Sequence, residues 1–292
     1  MRFFLSGSGS TAAMASLSYC ERVVRLTRKP PHELHLAYLG TPMYDLERFR
    51  VKLLTPFLQL GVTCHPIDLV ETQRLSEEHR AWLLKSDIIL VSGGNTLYAM
   101  DLWKATGVAE LLAEVKDTAV FCGGSAGANC WFDGGHSDSM DPMTFRKSMA
   151  PSSGELSEFD GPSKSWEYIR IEGLGFLPGL CCPHHDRVQS NGVLRAEDFE
   201  KLLRRHPQER GICIDDWAAL EIDGESYQIF VAPDAPKSAK VFIKEIDGGT
   251  LQATGVPMEG KLHELLRRAS AITCLGTRQA ASKMSDKSFV VC

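Results

Sequence analysis

Residues 118–129 read Thr-Ala-Val-Phe-Cys-Gly-Gly-Ser-Ala-Gly-Ala-Asn, an apolar run that empties into a turn of small residues with one serine, Ser125, at its centre. A short continuous apolar run bounded by glycines predicts a strand buried on both faces, the kind found inside a parallel sheet. Upstream the same unit repeats. Candidate strands at 2–6, 35–40, 62–69, 87–92 and 118–122 take turns with segments of helical spacing at 12–27, 45–60, 76–86 and 108–116. The second of these contains Pro56, a residue that kinks helices. This alternation predicts an α/β fold with a mainly parallel central sheet and helices on both faces. Ligands then bind beyond the carboxyl ends of the strands.

Downstream the pattern breaks. From 133 to 166 the chain turns to Gly, Ser, Pro, Met and acidic residues, too long a stretch for an inert connection, and a lid or binding loop is expected. Regularity returns at 168–171, in the run 173–183, in a helix near 196–205 and in a strand at 211–214. Segments 218–222 and 226–231 flank Asp223-Gly224-Glu225, and 240–246 precedes Asp247-Gly248-Gly249, so β-hairpins are expected toward the C-terminus. A short helix at 261–269 precedes a Ser-, Lys- and Ala-rich stretch at 279–287. One hydrolytic domain is expected over 1–275, with a poorly ordered tail over 276–292.

With 43% hydrophobic and 24% charged residues, the 292-residue chain has an ordinary globular composition. A formal net charge of −5 gives no reason to expect nucleic acid as a partner. No run of some 18 apolar residues occurs, and the first residues lack the apolar core of a secretory signal; a cytoplasmic protein without a membrane partner is expected. The nine cysteines are odd in number, irregularly spaced and without a Cys-x-x-Cys pair, so reduced thiols and no metal are expected.

The segment around Ser125 has the form of a nucleophile elbow, in which a hydroxyl is presented on a sharp strand-to-helix turn, with Gly123 and Gly127 removing side chains that would clash. Taken alone, a G-x-S-x-G string is also common in plain loops. The N–H of Ala126 follows the hydroxyl and supplies half of an oxyanion hole; the other half is offered by Gly93 or Gly94 in Ser92-Gly93-Gly94-Asn95-Thr96. That second loop reads equally as a turn with Asn95 capping a helix. For the base, Pro183-His184-His185-Asp186 ends a strand-like run and offers His184. His32, His79, His206 and His263 lie in charged or helical surroundings, whereas His136 is harder to dismiss. Asp138 and Asp141 are candidates for the acid that orients the imidazole, with Asp186 and the pair Asp215-Asp216 as rivals; Asp215 is also a candidate for holding a substrate amine. Cys122 is an alternative nucleophile, disfavoured because it falls inside the strand.

Five segments, LSGSGS (5–10), SGGNT (92–96), GGSAGAN (123–129), GLGFLPGLCCPHHD (173–186) and IDDWAAL (214–220), together resemble peptidase family S51, which contains the aspartyl dipeptidases (peptidase E) and cyanophycinase. The resemblance implies a class I glutamine amidotransferase-like, flavodoxin-like fold. It implies a Ser-His-Asp hydrolase working through an acyl-enzyme without a cofactor. Ser125 is then the nucleophile, His184 the proton shuttle, and the acid lies in the loop after the nucleophile, Asp138 ahead of Asp141. Ala126 with Gly93 or Gly94 holds the oxyanion. The substrate it implies is a dipeptide or short peptide with an N-terminal aspartate, for which Arg187 is the candidate cation, Arg146 and Arg195 its alternatives, and Asn95 a further substrate-binding candidate. Oligomeric state by analogy is monomer or homodimer. Two features depart from the enterobacterial peptidase E pattern: Gly124 stands where a bulky aromatic is usual, and the loop before Pro183 is longer. A cyanophycinase-like or other amide hydrolase of the same fold, and a non-catalytic homologue that binds a small acidic ligand, are the alternatives.

Overall fold

A computed structural model of the chain describes residues 1–9, 14–142, 165–233, 235 and 238–267. Its first strand, β1 (Arg2–Ser6), is followed by helix α1 (Leu17–Thr27), β2 (His35–Leu39), α2 (Glu47–Gln59), β3 (Thr63–Pro66), α3 (Glu77–Lys85) and β4 (Ile88–Val91). Then come α4 (Thr96–Thr106), α5 (Val108–Glu114), β5 (Val120–Gly124) and the single turn α6 (Ala126–Asn129). Pro56 lies inside α2 without ending it. Strands β6 (Phe132–Ser137), β7 (Ile169–Glu172) and β8 (Leu177–Cys182) precede α7 (Arg195–Arg205) and β9 (Gly211–Ile214). The chain continues through β10 (Ala218–Asp223), β11 (Ser226–Val231), β12 (Val241–Asp247), β13 (Thr250–Gly255), β14 (Glu259–Lys261) and α8 (Leu262–Leu265).

The expected α/β alternation is present over the first five strands, but the expectation of one mainly parallel sheet needs correction. There are two sheets, and both are mixed. The larger has the order β14-β11-β10-β1-β5-β4-β2-β3, in which β1 to β5 run parallel while β10, β11 and β14 are antiparallel. The smaller has the order β13-β12-β9-β8-β6-β7, parallel only through β6, β8 and β9. Part of the discrepancy lies in β6, Phe-Asp-Gly-Gly-His-Ser, which falls inside the stretch expected to be irregular. Its glycines and polar residues carry no period-two hydrophobic pattern, yet five of its six residues are buried. Residues 143–164, the remainder of that expected loop, and the expected tail at 276–292 lie outside the described residues.

Packing fixes where β5 ends. Phe3 and Phe121 are register partners on β1 and β5 and stack with ring centroids 5.4 Å apart, and Trp131 sits 4.6 Å from Phe121. All three are fully buried in one apolar cluster beneath α4 and α5. The opposite face of the strands is covered by α1 and α2 through Phe4, Tyr19, Val23, Leu53 and Phe57. At about 25 cal/mol per Å² of buried apolar surface, each fully buried aromatic ring in these layers contributes a few kcal/mol. Because both faces are covered, the exposed functional chemistry is confined to the strand ends.

Candidate active site

Ser125 sits between β5 and α6 with φ 55° and ψ −111°, a region that non-glycine residues occupy at a cost of about 1–3 kcal/mol. Six described non-glycine residues have positive φ, and Ser125 and His184 are two of them. The turn closes because its neighbours are small: a Cβ on Gly124 would lie 1.9 Å from the Ser8 carbonyl oxygen, so the aromatic residue usual at this position has no room here. Ser125 itself is only 6% exposed. Its N–H donates to the carbonyl of Ser6 at 3.2 Å.

His184 arrives at the same place from the other sheet. Its N–H donates to the carbonyl of Gly7 at 3.0 Å, so two adjacent peptide groups at the end of β1 hold the backbones of Ser125 and His184 side by side. No hydrogen bond joins the Ser125 hydroxyl to His184 among the described residues. His184 Nδ1 is 2.5 Å from Asp216 Oδ1, and Arg187 donates to Asp216 Oδ2 at 2.9 Å. Burial pushes Asp216 up, but the His184 imidazole and then the Arg187 guanidinium outweigh it and hold the carboxyl below the usual range. An ionised Asp216 requires Nδ1 to be the protonated ring nitrogen, which leaves Nε2 as a lone-pair acceptor.

The loops after β8 and β9 are interlocked by a ladder of such bonds. Asp186 accepts the N–H of Asp216 at 2.8 Å, and His185 Nδ1 lies 2.9 Å from Asp215 Oδ1. Asp215 Oδ2 also accepts the N–H of Lys240, and the residue is buried, so it braces the loop and is not open to a substrate amine.

Asp138 and Asp141, the sequence-based candidates for the acid, are engaged elsewhere. Asp138 accepts from Arg195 Nη1 at 3.2 Å, and Asp141 accepts the Ser190 hydroxyl at 2.8 Å. Although burial raises Asp138, the charge of Arg195 and then of His184 bring it below its ordinary value; Asp138 therefore feels the imidazole without bonding to it. Arg195 is fully buried against Asp138, the His136 carbonyl and the Tyr168 ring, which removes it as a substrate cation. Arg146 lies outside the described residues. Arg187 is 45% exposed at its side chain and spends one N–H on Asp216. His136 is wholly buried and its Nε2 is bonded to Asp198 at 3.0 Å. Cys122 is fully enclosed in β5, and burial pushes its thiol far up.

The second glycine loop lies against the first. A Cβ on Gly9 would come within 2.9 Å of both Gly93 Cα and Ser125 Cβ, so the Gly93 backbone and the Ser125 side chain flank one point of the β1 loop. Gly94 has φ +120°, with the Pro42 carbonyl pressed against it, a combination that excludes a side chain. Ala126 opens α6, where the first N–H groups lack helical partners. Asn95 is a cap: Oδ1 accepts the Tyr98 N–H, while Nδ2 donates to the Tyr44 hydroxyl and the Ser139 carbonyl. Its carboxamide tethers loops and is not presented to a substrate. Among the described residues, no group of three or more His, Cys, Asp or Glu side chains is arranged to hold a metal ion, and no helix is long and apolar enough to cross a membrane.

The family model of peptidase family S51 matches residues 3–230. The chain belongs to peptidase family S51. As an S51 chain it is a peptidase, a hydrolase of amide bonds. It is 27% identical to the uncharacterized peptidase YgaJ of Bacillus subtilis, over 82% of this chain and 91% of that one. It is also 27% identical to a Trypanosoma brucei brucei protein named G2/mitotic-specific cyclin-1, over 80% of this chain and 76% of that one. Among solved structures, a peptidase from an acI-B1 Actinobacterium shares the S51 fold with a TM-score of 0.61 at 18% identity, covering 89% of this chain and 96% of the other.

Proposed function

We propose that this S51 chain is a serine peptidase in which Ser125, His184 and Asp216 form the catalytic triad. The observation that carries this reading is the pairing of backbones at Ser6 and Gly7, which brings a strained serine and an imidazole already oriented by a carboxylate to one strand end. His184 Nε2 takes the Ser125 proton as Oγ attacks the substrate carbonyl, and the N–H of Ala126 with that of Gly93 or Gly94 stabilises the oxyanion. The imidazolium then protonates the leaving amine. Water, deprotonated by the same nitrogen, releases the acid from the acyl-enzyme. Asp216 replaces Asp138 and Asp141 in the acid's role, because it alone of the three bonds to His184.

The substrate in this reading is a dipeptide or short peptide with an acidic N-terminal residue. Arg187, half-exposed beside the triad with donors to spare, supplies the countercharge. The test is a panel of dipeptides with Asp, Glu, Asn, isoaspartyl and neutral first residues, assayed on the wild type and on Ser125→Ala. Hydrolysis confined to acidic first residues and abolished in a folded Ser125→Ala supports the reading. Near-normal turnover by that variant removes the serine mechanism, and a preference for neutral first residues removes the specificity.

A further inference from the structure

Asp138 has no part in the triad, yet the fold keeps it beside both halves of the site. Strands β6 and β8 run parallel, with Gly134 level with Leu180 and Gly135 with Cys181. Carried on residue for residue, that register sets Asp138, the first residue past β6, level with His184, the second past β8. The next residue ties the same turn to the second glycine loop: the Ser139 carbonyl accepts Asn95 Nδ2 at 3.2 Å, and the Ser139 hydroxyl accepts the Leu97 N–H at 3.1 Å. Asp138 is thus pinned between the base and the loop that carries Gly93 and Gly94.

One of its carboxylate oxygens is occupied and the other is not. Oδ2 accepts from Arg195 Nη1 at 3.2 Å, whereas Oδ1 accepts no hydrogen bond among the described residues. The Asp138 side chain is 20% exposed, although Arg195 behind it is wholly buried. Burial raises its carboxyl, but the charges of Arg195 and then His184 outweigh this and hold it below its ordinary value, so the group is an anion at neutral pH. In a peptide cut after its first residue, the α-ammonium lies about 2.5 Å from the carbonyl carbon under attack. That cation is therefore delivered to the immediate surroundings of Ser125 and His184. As the imidazolium forms there, two like charges are brought together, and a neighbouring carboxylate offsets their repulsion.

We propose that Asp138 binds the free α-ammonium of the substrate through Oδ1 and so restricts this peptidase to unblocked N-termini. The proposal deepens the reading above and rests on its placing of the scissile carbonyl at Ser125. Arg195 is then a positioning residue, which holds Oδ2 and fixes the plane of the carboxylate. Arg187 takes the side-chain carboxylate of the same substrate residue, so the two charges on either side of its α-carbon are read by different loops. A blocked or internal peptide bond presents an uncharged amide N–H in place of the ammonium and forfeits the contact with Asp138.

The probes are the best dipeptide of the panel and its desamino analogue, in which hydrogen replaces the α-amino group and all else is kept; for an aspartyl dipeptide this is the succinyl amide. Calorimetry measures the binding of both to Ser125→Ala, with and without Asp138→Asn, and hydrolysis is followed in parallel on chains that retain Ser125. Since a hydrogen bond to a charged group is worth tenfold or more in affinity, Ser125→Ala is expected to bind the dipeptide about thirtyfold tighter than the analogue, a preference that falls to about threefold when Asp138→Asn is added. In hydrolysis, Asp138→Asn is expected to raise KM about tenfold with kcat nearly kept. A carboxylate that serves only as the counterion of Arg195 weakens both ligands alike; an unchanged ratio in Asp138→Asn overturns the proposal. Should the unpaired Arg195 keep that variant from folding, Asp138→Asn combined with Arg195→Met removes both buried charges, and the same ratio is read on it. Hydrolysis of the panel without an amine preference overturns the proposal and leaves the triad reading standing. An amine preference that is lost with Asp138, in a chain that hydrolyses no dipeptide, supports the proposal and counts against the triad reading. If no dipeptide binds or is cut, both fall.

Discussion

Replacing Asp216 by Asn tests the reassignment of the acid. The substitution keeps the shape of the side chain but removes the charge that faces His184 Nδ1 at 2.5 Å, at a carboxylate only 15% exposed. With charge centres about 4 Å apart and an effective dielectric of about 20, the attraction between Asp216 and an imidazolium is about 4 kcal/mol. At about 1.4 kcal/mol per decade, its loss in the transition state lowers kcat roughly 10³-fold. The amide also admits the wrong ring tautomer, which takes the loss toward about 10⁴-fold in triads of this kind. The assay is steady-state hydrolysis of the best dipeptide of the panel, with Asp138→Asn and Asp141→Asn in parallel and far-ultraviolet circular dichroism as the check on folding. Asp216→Asn is expected to lose kcat with little change in KM, while the other two stay within about tenfold of wild type. If Asp138→Asn loses about 10³-fold and Asp216→Asn does not, the argument from the His184 contact fails.

Three further outcomes follow from the geometry. Gly124→Ala places a Cβ 1.9 Å from the Ser8 carbonyl and is expected to destabilise the chain by several kcal/mol, about the upper end for single substitutions, as measured by urea unfolding; a near-neutral effect contradicts the close approach. Phe121→Ala, which removes the ring between Phe3 and Trp131, is expected to cost about 3–5 kcal/mol in the same assay. Asp45 accepts the N–H groups of Leu69 and Val70, and burial raises its pKa to about 6. Since that folded value exceeds the unfolded one, the stability from its protonation is complete below about pH 4 and is lost as pH rises through about 6, a change of about 3 kcal/mol. Asp45→Asn is expected to flatten that part of the stability–pH curve.

The first five strands and the turn at Ser125 were legible in the sequence because each is a local matter. A short apolar run flanked by glycines has few alternatives to a buried strand, and β1, β9 and β11 fall at the expected residues. His184 was legible too, from its place after such a run. The split into two sheets was not: β6 carries no periodic pattern, and its partners on β7 and β8 lie more than 30 residues away along the chain. Nor was the partner of His184. Asp138, Asp141, Asp186, Asp215 and Asp216 are equivalent as residue types, and the choice among them depends on how the ends of β8 and β9 meet. Only the folded chain sets Asp216 against Nδ1, gives Asp215 to His185 and pairs Asp138 with a buried arginine. Local order follows from side-chain volume and hydrophobicity, which a sequence states outright; a charged contact across two loops is decided by distances that exist only after the sheets have packed.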